Sequence, residues 1–252
     1  MLDVSVNIVS SNTPELLNRA VRSVLRQNNC NFEIVIVDTT KDGIHRDFIR
    51  SLNDDSISYY HEPQKHLADA RNIALENSAG RYVAVLDGDD EWVDNEKLYK
   101  QFWLAEVFNV VLVGTQIKRV YPDGTSAEDK FCPLSDKDIR GTMLIENPFC
   151  HSAVLYRREL ALETGGYKPV KNLWNINDYE LWMQLGLKGE MRNLSDVTTK
   201  YTVWPNKMGI KHRAELYWND FKTACKYKNA YPNFSSAVSR YVIKYPLRKI
   251  TG

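Results

Sequence analysis

Through the first hundred residues, apolar runs of strand length alternate with segments whose apolar residues recur at helical spacing. Val4–Ser10 is such a run, ending in the turn Ser10-Ser-Asn-Thr-Pro14. Beyond it Leu17, Ala20, Val21, Val24 and Leu25 return every three or four positions, which predicts a helix. Phe32–Asp38 is apolar enough to be covered on both faces. The same reading expects a helix over about 44–52, a strand at 57–60 and a helix at 67–78 stopped by Gly80. A strand at 81–86 and a helix at 95–108 follow.

After residue 108 the pattern changes. A strand is expected at 110–121, then the turn Pro122-Asp-Gly124, a strand at 152–156 and a tight break at Gly165-Gly166. A helix at 178–187 and a strand at 198–203 precede a chain that is helical from about 211, interrupted at Pro232 and Pro246. Alternation of this kind predicts an α/β fold: a mainly parallel twisted sheet flanked by helices, with a mixed second half and a helical C-terminal tail.

The run Tyr82-Val-Ala-Val-Leu-Asp87-Gly-Asp89-Asp90-Glu-Trp92 is a strand pattern that empties into three carboxylates. Clustered carboxylates repel one another unless a cation lies between them. With no Cys or His in the stretch, an all-oxygen set favours Mn²⁺ or Mg²⁺ over zinc. A plainer account is a solvated loop leading to a helix capped by Asp94. An EF-hand loop fails, because Trp92 and Leu98 stand where glycine and glutamate are needed. In wound parallel sheets ligands bind beyond the carboxyl ends of the strands. Asn12, Asp38 and Asp87 to Asp90 all lie at or just past such ends, so they are expected to converge. His61 and His66 form no zinc pair and read as loop histidines, and neither a Walker loop nor a G-x-S-x-G elbow occurs.

The 252 residues carry a formal net charge of +1, which gives nucleic acid no global attraction. That balance hides a basic tail. From Phe221 to Gly252 there is no acid, and seven Lys and Arg give that segment +7. The four cysteines, Cys30, Cys132, Cys150 and Cys225, suit neither a disulfide framework nor a zinc site. No run approaches the ~18 apolar residues of a bilayer span, and no secretory leader opens the chain. A cytoplasmic protein is expected, peripheral at the inner membrane face if its tail binds anionic lipid. With Tyr241, Val242, Ile243 and Tyr245 interleaved among its lysines, the tail could rest on a membrane or pack as a terminal helix.

The ordered set of Val4-Ser-Val-Asn-Ile-Val-Ser-Ser-Asn12, Phe32-Glu-Ile-Val-Ile-Val-Asp38, Ala70-Arg71-Asn72 and Leu86-Asp-Gly-Asp-Asp-Glu-Trp92 resembles family 2 glycosyltransferases of the GT-A fold. Asn147-Pro-Phe-Cys-His-Ser152, Tyr156-Arg-Arg158, Gly165-Gly-Tyr167 and Asp178-Tyr-Glu-Leu-Trp182 resemble that family's acceptor-side motifs. The resemblance implies a metal-dependent, inverting transferase. It would move a sugar, of UDP-hexose type, from a nucleotide-diphosphate donor to a glycan or lipid-linked acceptor. It implies a GT-A domain over 1–210, with a nucleotide-binding half at 1–108 and an acceptor-binding half at 109–210, followed by a basic helical extension at 211–252. Asp38 would meet the base, Arg71 the diphosphate, Asp87 the ribose, and Asp89 the metal. Ser10, Asn12 and Gly88 would lie beside the nucleotide. Asp178 would be the catalytic base, although its position alone equally suits a helix N-cap.

Four departures from the family pattern bear on those roles. Thr39 stands where a second aspartate usually follows Asp38, and His66 where a glycine often precedes the A-R-N motif. Asn177 replaces an acid, and Trp204 a late histidine that often ligates the metal, with His212 as the alternative ligand. Two rivals stay open. A sugar nucleotidyltransferase generally wants a glycine-rich phosphate loop that Ser10-Ser-Asn-Thr-Pro14 lacks. A degenerate member that only binds sugars or scaffolds is kept in play by Thr39, Asn177 and Trp204.

Overall fold

The computed structural model describes residues 2–128, 130–169, 178–204 and 210–241, with side chains from 215 onward in the last stretch. The first half runs β1 (Val4–Ser10), α1 (Pro14–Leu25), β2 (Phe32–Asp38), α2 (Arg46–Leu52), β3 (Ile57–His61), α3 (Leu67–Glu76) and β4 (Tyr82–Asp87). A two-residue strand β5 (Glu91–Trp92) and α4 (Lys97–Phe108) follow. The second half adds β6 (Leu112–Val120), α5 (Asp136–Thr142), a 3-10 turn (His151–Ala153), β7 (Leu155–Arg157) and α6 (Arg158–Glu163). It ends with α7 (Asp178–Gly186), β8 (Met191–Thr202) and α8 (Ile210–Lys226).

One sheet joins all eight strands in the order β3-β2-β1-β4-β7-β6-β8-β5. The four strands from β3 to β4 are parallel, whereas β7 is antiparallel to both β4 and β6. Strand β6 is parallel to β8, and β5 closes the edge antiparallel to β8. The register aligns the carboxyl ends: Ser10 lies opposite Asp38, and Val9 opposite Asp87. That alignment places three candidate positions along one rim of the sheet.

Burial on both faces accounts for the unbroken apolar runs. Val4, Val6, Ile8, Ile34, Ile36, Ala84 and Leu86 pack with Leu17, Ala20, Val21 and Val24 of α1. The alternate residues Val9, Val35 and Val37 pack on Ala70 and Ala74 of α3, while Val83 and Val85 join the core beneath α7. Pro14 opens α1 at a position whose N–H would have no intrahelical partner.

Several boundaries differ from the pattern reading. Helix α3 ends at Glu76, where the Asn77 N–H returns to the Ile73 carbonyl. Gly80 is required for another reason: a Cβ there would lie 2.5 Å from the Ser5 backbone nitrogen. The strand expected at 152–156 is a 3-10 turn followed by β7, and the strand expected from 198 begins at Met191. Asp94 does not cap α4: its Oδ1 accepts from the Glu96 N–H at 2.8 Å in the turn ahead of the helix, whose N-cap is Glu96. His66, expected in a loop, caps α3 by accepting from the Ala68 N–H through Nδ1 at 3.3 Å. The break at Gly165-Gly166 has φ of +78° and +65°, and a Cβ on Gly166 would strike Asn72, whose amide pairs with the Tyr167 backbone. No helix among the described residues is long and apolar enough to cross a membrane. The end of the basic tail, 242–252, lies outside the described residues, as does Asn177.

Candidate active site

A cavity of about 480 Å³ opens at the carboxyl ends of β1 and β4. Asn12, Arg71, Asp87, Gly88, Asp89 and Asp90 line it from the first half, and Arg119, Tyr201 and Trp204 from the second. The acids that follow the apolar strand therefore do converge with Asn12 and Arg71.

Asp87 is gripped through one oxygen. Its Oδ1 accepts from Arg71 Nη2 at 3.0 Å and lies 3.2 Å from His151 Nδ1, and Arg71 also reaches that ring nitrogen at 3.0 Å. Burial alone would raise the Asp87 pKa, but the adjacent His151 and the Arg71 guanidinium outweigh it and hold the carboxyl well below the usual range. His151 Nε2 lies 3.3 Å from the Tyr167 hydroxyl, so the ring bridges the acid to the Gly-Gly-Tyr segment.

The 3-10 turn that carries His151 is also a brace. Ser152 Oγ accepts from the Asp87 N–H at 3.1 Å and donates to Asp90 Oδ2. The indole of Trp92, wholly buried, donates to the Ser152 carbonyl at 2.8 Å. Asp90 spends its other oxygen on the Thr202 N–H at 2.7 Å. Burial, with Asp89 and Asp87 nearby, pushes its pKa well above the usual carboxylate value. Asp90 is a structural clamp between the acidic loop and β8.

Asp89 is held from both sides. Its carbonyl accepts from Arg19 Nη2 and Thr202 Oγ1, each at 2.5 Å, and its Oδ2 accepts from Trp204 Nε1 at 2.8 Å. The residue standing where a ligating histidine is expected therefore donates a hydrogen bond to the carboxylate instead.

Asp38 ends β2 on the same rim but does not line the cavity. It is fully buried, with Oδ1 accepting from the Thr40 N–H and hydroxyl at 2.8 and 2.6 Å, and Oδ2 from the Tyr59 hydroxyl at 2.5 Å. Burial and Asp38 push the Tyr59 phenol up, so it remains a donor. Ser10 is equally buried, its Oγ accepting from the Asn12 N–H at 3.3 Å and lying 3.4 Å from His45 Nε2. It supports Asn12 and Gly88 rather than facing the cavity.

The family model described as glycosyl transferase family 2 matches residues 5–165. The chain belongs to this family. It is 32% identical over 194 residues to the putative teichuronic acid biosynthesis glycosyltransferase TuaG of Bacillus subtilis, covering 74% of this chain and 73% of TuaG. It is 27% identical over 246 residues to WfaP of Escherichia coli, a UDP-Glc:alpha-D-GlcNAc-diphosphoundecaprenol beta-1,3-glucosyltransferase, covering 90% of this chain and 84% of WfaP. The fold matches Staphylococcus aureus TarS in complex with UDP-GlcNAc with a TM-score of 0.72 at 15% identity, over 99% of this chain and 73% of that one. The chain spans only 24% of an uncharacterized glycosyltransferase from Rickettsia bellii.

In this family 2 glycosyltransferase, Asp178 is the first residue of α7, and its Oδ2 accepts from Asn147 Nδ2 at 3.2 Å rather than from an N–H of its own helix. It does not line the cavity, and 170–177 before it lie outside the described residues. The His212 side chain also lies outside them. Among the described residues no group of three His, Cys, Asp or Glu is arranged to hold a metal. Nothing in the sequence marks His151 or Arg119 as individual site residues. His151 belongs to the Asn147–Ser152 motif that the resemblance places on the acceptor side, yet it touches Asp87.

Proposed function

We propose that this glycosyltransferase moves a hexose-type sugar from a UDP-linked donor to a glycan or lipid-linked acceptor, with inversion, using Mn²⁺ or Mg²⁺ at Asp89. One observation carries the reading: Asp87 ends β4 and Asp89 follows two residues on, both on one cavity, with Asp87 gripped from behind by Arg71 and His151. The UDP-sugar complex of TarS and the lipid-linked acceptor in the name of WfaP support the donor and acceptor classes.

The donor set suits a hard cation. Mg²⁺ commonly sits on one or two carboxylates while substrate phosphates complete its shell. A carboxylate has about four lone-pair directions, and the Trp204 bond to Oδ2 takes one of those on Asp89. A bound ion would supply Lewis-acid stabilisation of the departing nucleoside diphosphate. Asp87, kept ionised by its partners, would accept hydrogen bonds from the donor's ribose hydroxyls through the cavity. Asp178 would take the proton of the acceptor hydroxyl as it attacks from the face opposite the leaving group. Its bond from Asn147 would orient the carboxylate.

Turnover of a UDP-sugar panel with Mn²⁺ and a lipid-linked acceptor, followed as UDP release, tests the reading. Asp89→Ala should remove the metal-dependent activity with the melting temperature retained, and full activity in EDTA would rule the metal out. A member that binds sugars without transferring them draws on the Trp204 contact. Its signature would be thermal stabilisation by UDP without UDP release from any donor.

A further inference from the structure

Arg119 projects from β6 into the cavity wall without a charged partner among the described residues. Its one side-chain hydrogen bond there runs from Nη1 to the Glu128 carbonyl at 2.8 Å. The neighbouring cations are committed, Arg71 to Asp87 and Arg19 to the Asp89 carbonyl and Thr202. A guanidinium held by one neutral carbonyl keeps its full charge and most of its five N–H donors, in the fork that matches phosphate oxygens.

It shares the cavity with the donor-side acids but stands one strand further from the acidic loop than β8 does. Strand β8 touches the acidic loop along one edge, through Thr202 to Asp89 and Asp90 and through the β5 pairing of Glu91 with Lys200. Strand β6 runs along the other edge, where Arg119 pairs with Tyr201. The segment that Arg119 fastens at Glu128 continues to Lys130, whose Nζ donates to the Asn147 carbonyl at 2.7 Å, and Asn147 in turn bonds Asp178. Arg119 is thus linked, through the segment carrying Glu128 and Lys130, to the Asn147 that holds the proposed base.

We propose that Arg119 binds a phosphate or diphosphate carried by the acceptor, selecting acceptors whose reacting sugar is directly attached to that group. This rests on the function proposed above and names the acceptor class for the same site. A sugar joined straight to a lipid diphosphate, as in the acceptor named for WfaP, brings charged oxygens within one sugar of the attacking hydroxyl. An uncharged glycan of the same sugar would leave the guanidinium desolvated and unpaired.

The test is calorimetric titration of geranyl diphosphate into the full chain saturated with UDP and Mn²⁺. Binding is expected with the donor site filled, and Arg119→Met should weaken it by roughly tenfold or more while leaving UDP affinity unchanged. Arg119→Lys, which keeps the charge and loses the fork, should fall between. It also serves as the reporter if the methionine variant melts early. Geraniol, lacking the phosphates, should not bind. Geranyl diphosphate that binds only by displacing UDP, or an Arg119→Met variant that loses UDP and keeps geranyl diphosphate, would overturn the assignment. Failure of UDP itself to bind would instead strike the donor reading, so the two failures are distinguishable.

Discussion

The indole N–H of Trp204 donates to Oδ2 of Asp89 across 2.8 Å, 115 positions along the chain. An indole is a donor only and cannot ligate a metal, whereas a neutral imidazole can. Trp204→His should therefore add a ligand beside Asp89. Free Mn²⁺ measured by electron paramagnetic resonance should fall in the presence of the nucleotide-free variant and hardly change with the wild type. A gain of about tenfold or more in affinity is expected. Identical Mn²⁺ binding by the two proteins would mean that no metal sits at Asp89.

Asp38 makes the opposite prediction from the one its resemblance implies. Its carboxylate is sealed from solvent and receives the Thr40 N–H, the Thr40 hydroxyl and the Tyr59 hydroxyl. Asp38→Asn turns one of those acceptors into a donor facing a donor. The expected loss is about 1–3 kcal/mol of stability in urea unfolding, with UDP affinity of the folded protein essentially unchanged. If UDP affinity collapsed while stability held, Asp38 would be reading the base after all.

What the sequence reveals divides along physical lines. Strands β1, β2 and β4 were legible because burial on both faces demands continuous apolar runs. The start of β8 was not, because Asn193 is buried there and Ser195, Asp196 and Val197 are all exposed, which leaves no apolar run. The Asn193 Nδ2 group donates to the Pro133 and Pro148 carbonyls, a buried polar position on which hydropathy is silent. The same split runs through the site. Arg71, Asp87 and Asp89 announce themselves as local motifs, and the structure gathers them on one cavity. His151 meets Asp87 from 64 positions away, and no spacing rule encodes that contact. Asp38 shares a strand-end position with the cavity acids and Asp90 stands among them, but only hydrogen-bond accounting reveals that both oxygens of each already hold protein partners.

Gly80 offers a test of the scaffold apart from the site. A methyl group there would meet the Ser5 nitrogen at 2.5 Å and the Val4 carbonyl carbon at 2.6 Å, both rigid backbone atoms of β1. Gly80→Ala should cost roughly 1–3 kcal/mol, as overpacking does, and lower the urea midpoint. The Gly80 N–H bond to Ser5 Oγ, 2.8 Å, should lose amide-exchange protection. Unaltered stability would show that the approach of this loop to β1 can relax.

Lys97 is the group whose burial should make stability depend on pH near neutrality. Its side chain is fully buried, with Nζ 2.6 Å from Gln101 Oε1 and 4.0 Å from the centre of the Trp92 ring. Burial lowers its pKa to about 7, against weaker upward pulls from Cys150 and Asp94. In the unfolded chain the amine titrates near ~10.4. Between those values the unfolded state holds the extra proton, so stability rises with pH across that window. The penalty is complete below about 7 and relieved above the unfolded value. Lys97→Met keeps the volume and removes the titration. Its stability relative to the wild type should therefore be greatest at pH 6 and shrink steadily toward pH 10, by at most about 1.4 kcal/mol per pH unit. Urea unfolding of both proteins at three pH values decides it, since every other titrating group is shared and cancels in the difference. Parallel profiles would mean that Lys97 stays protonated inside the fold.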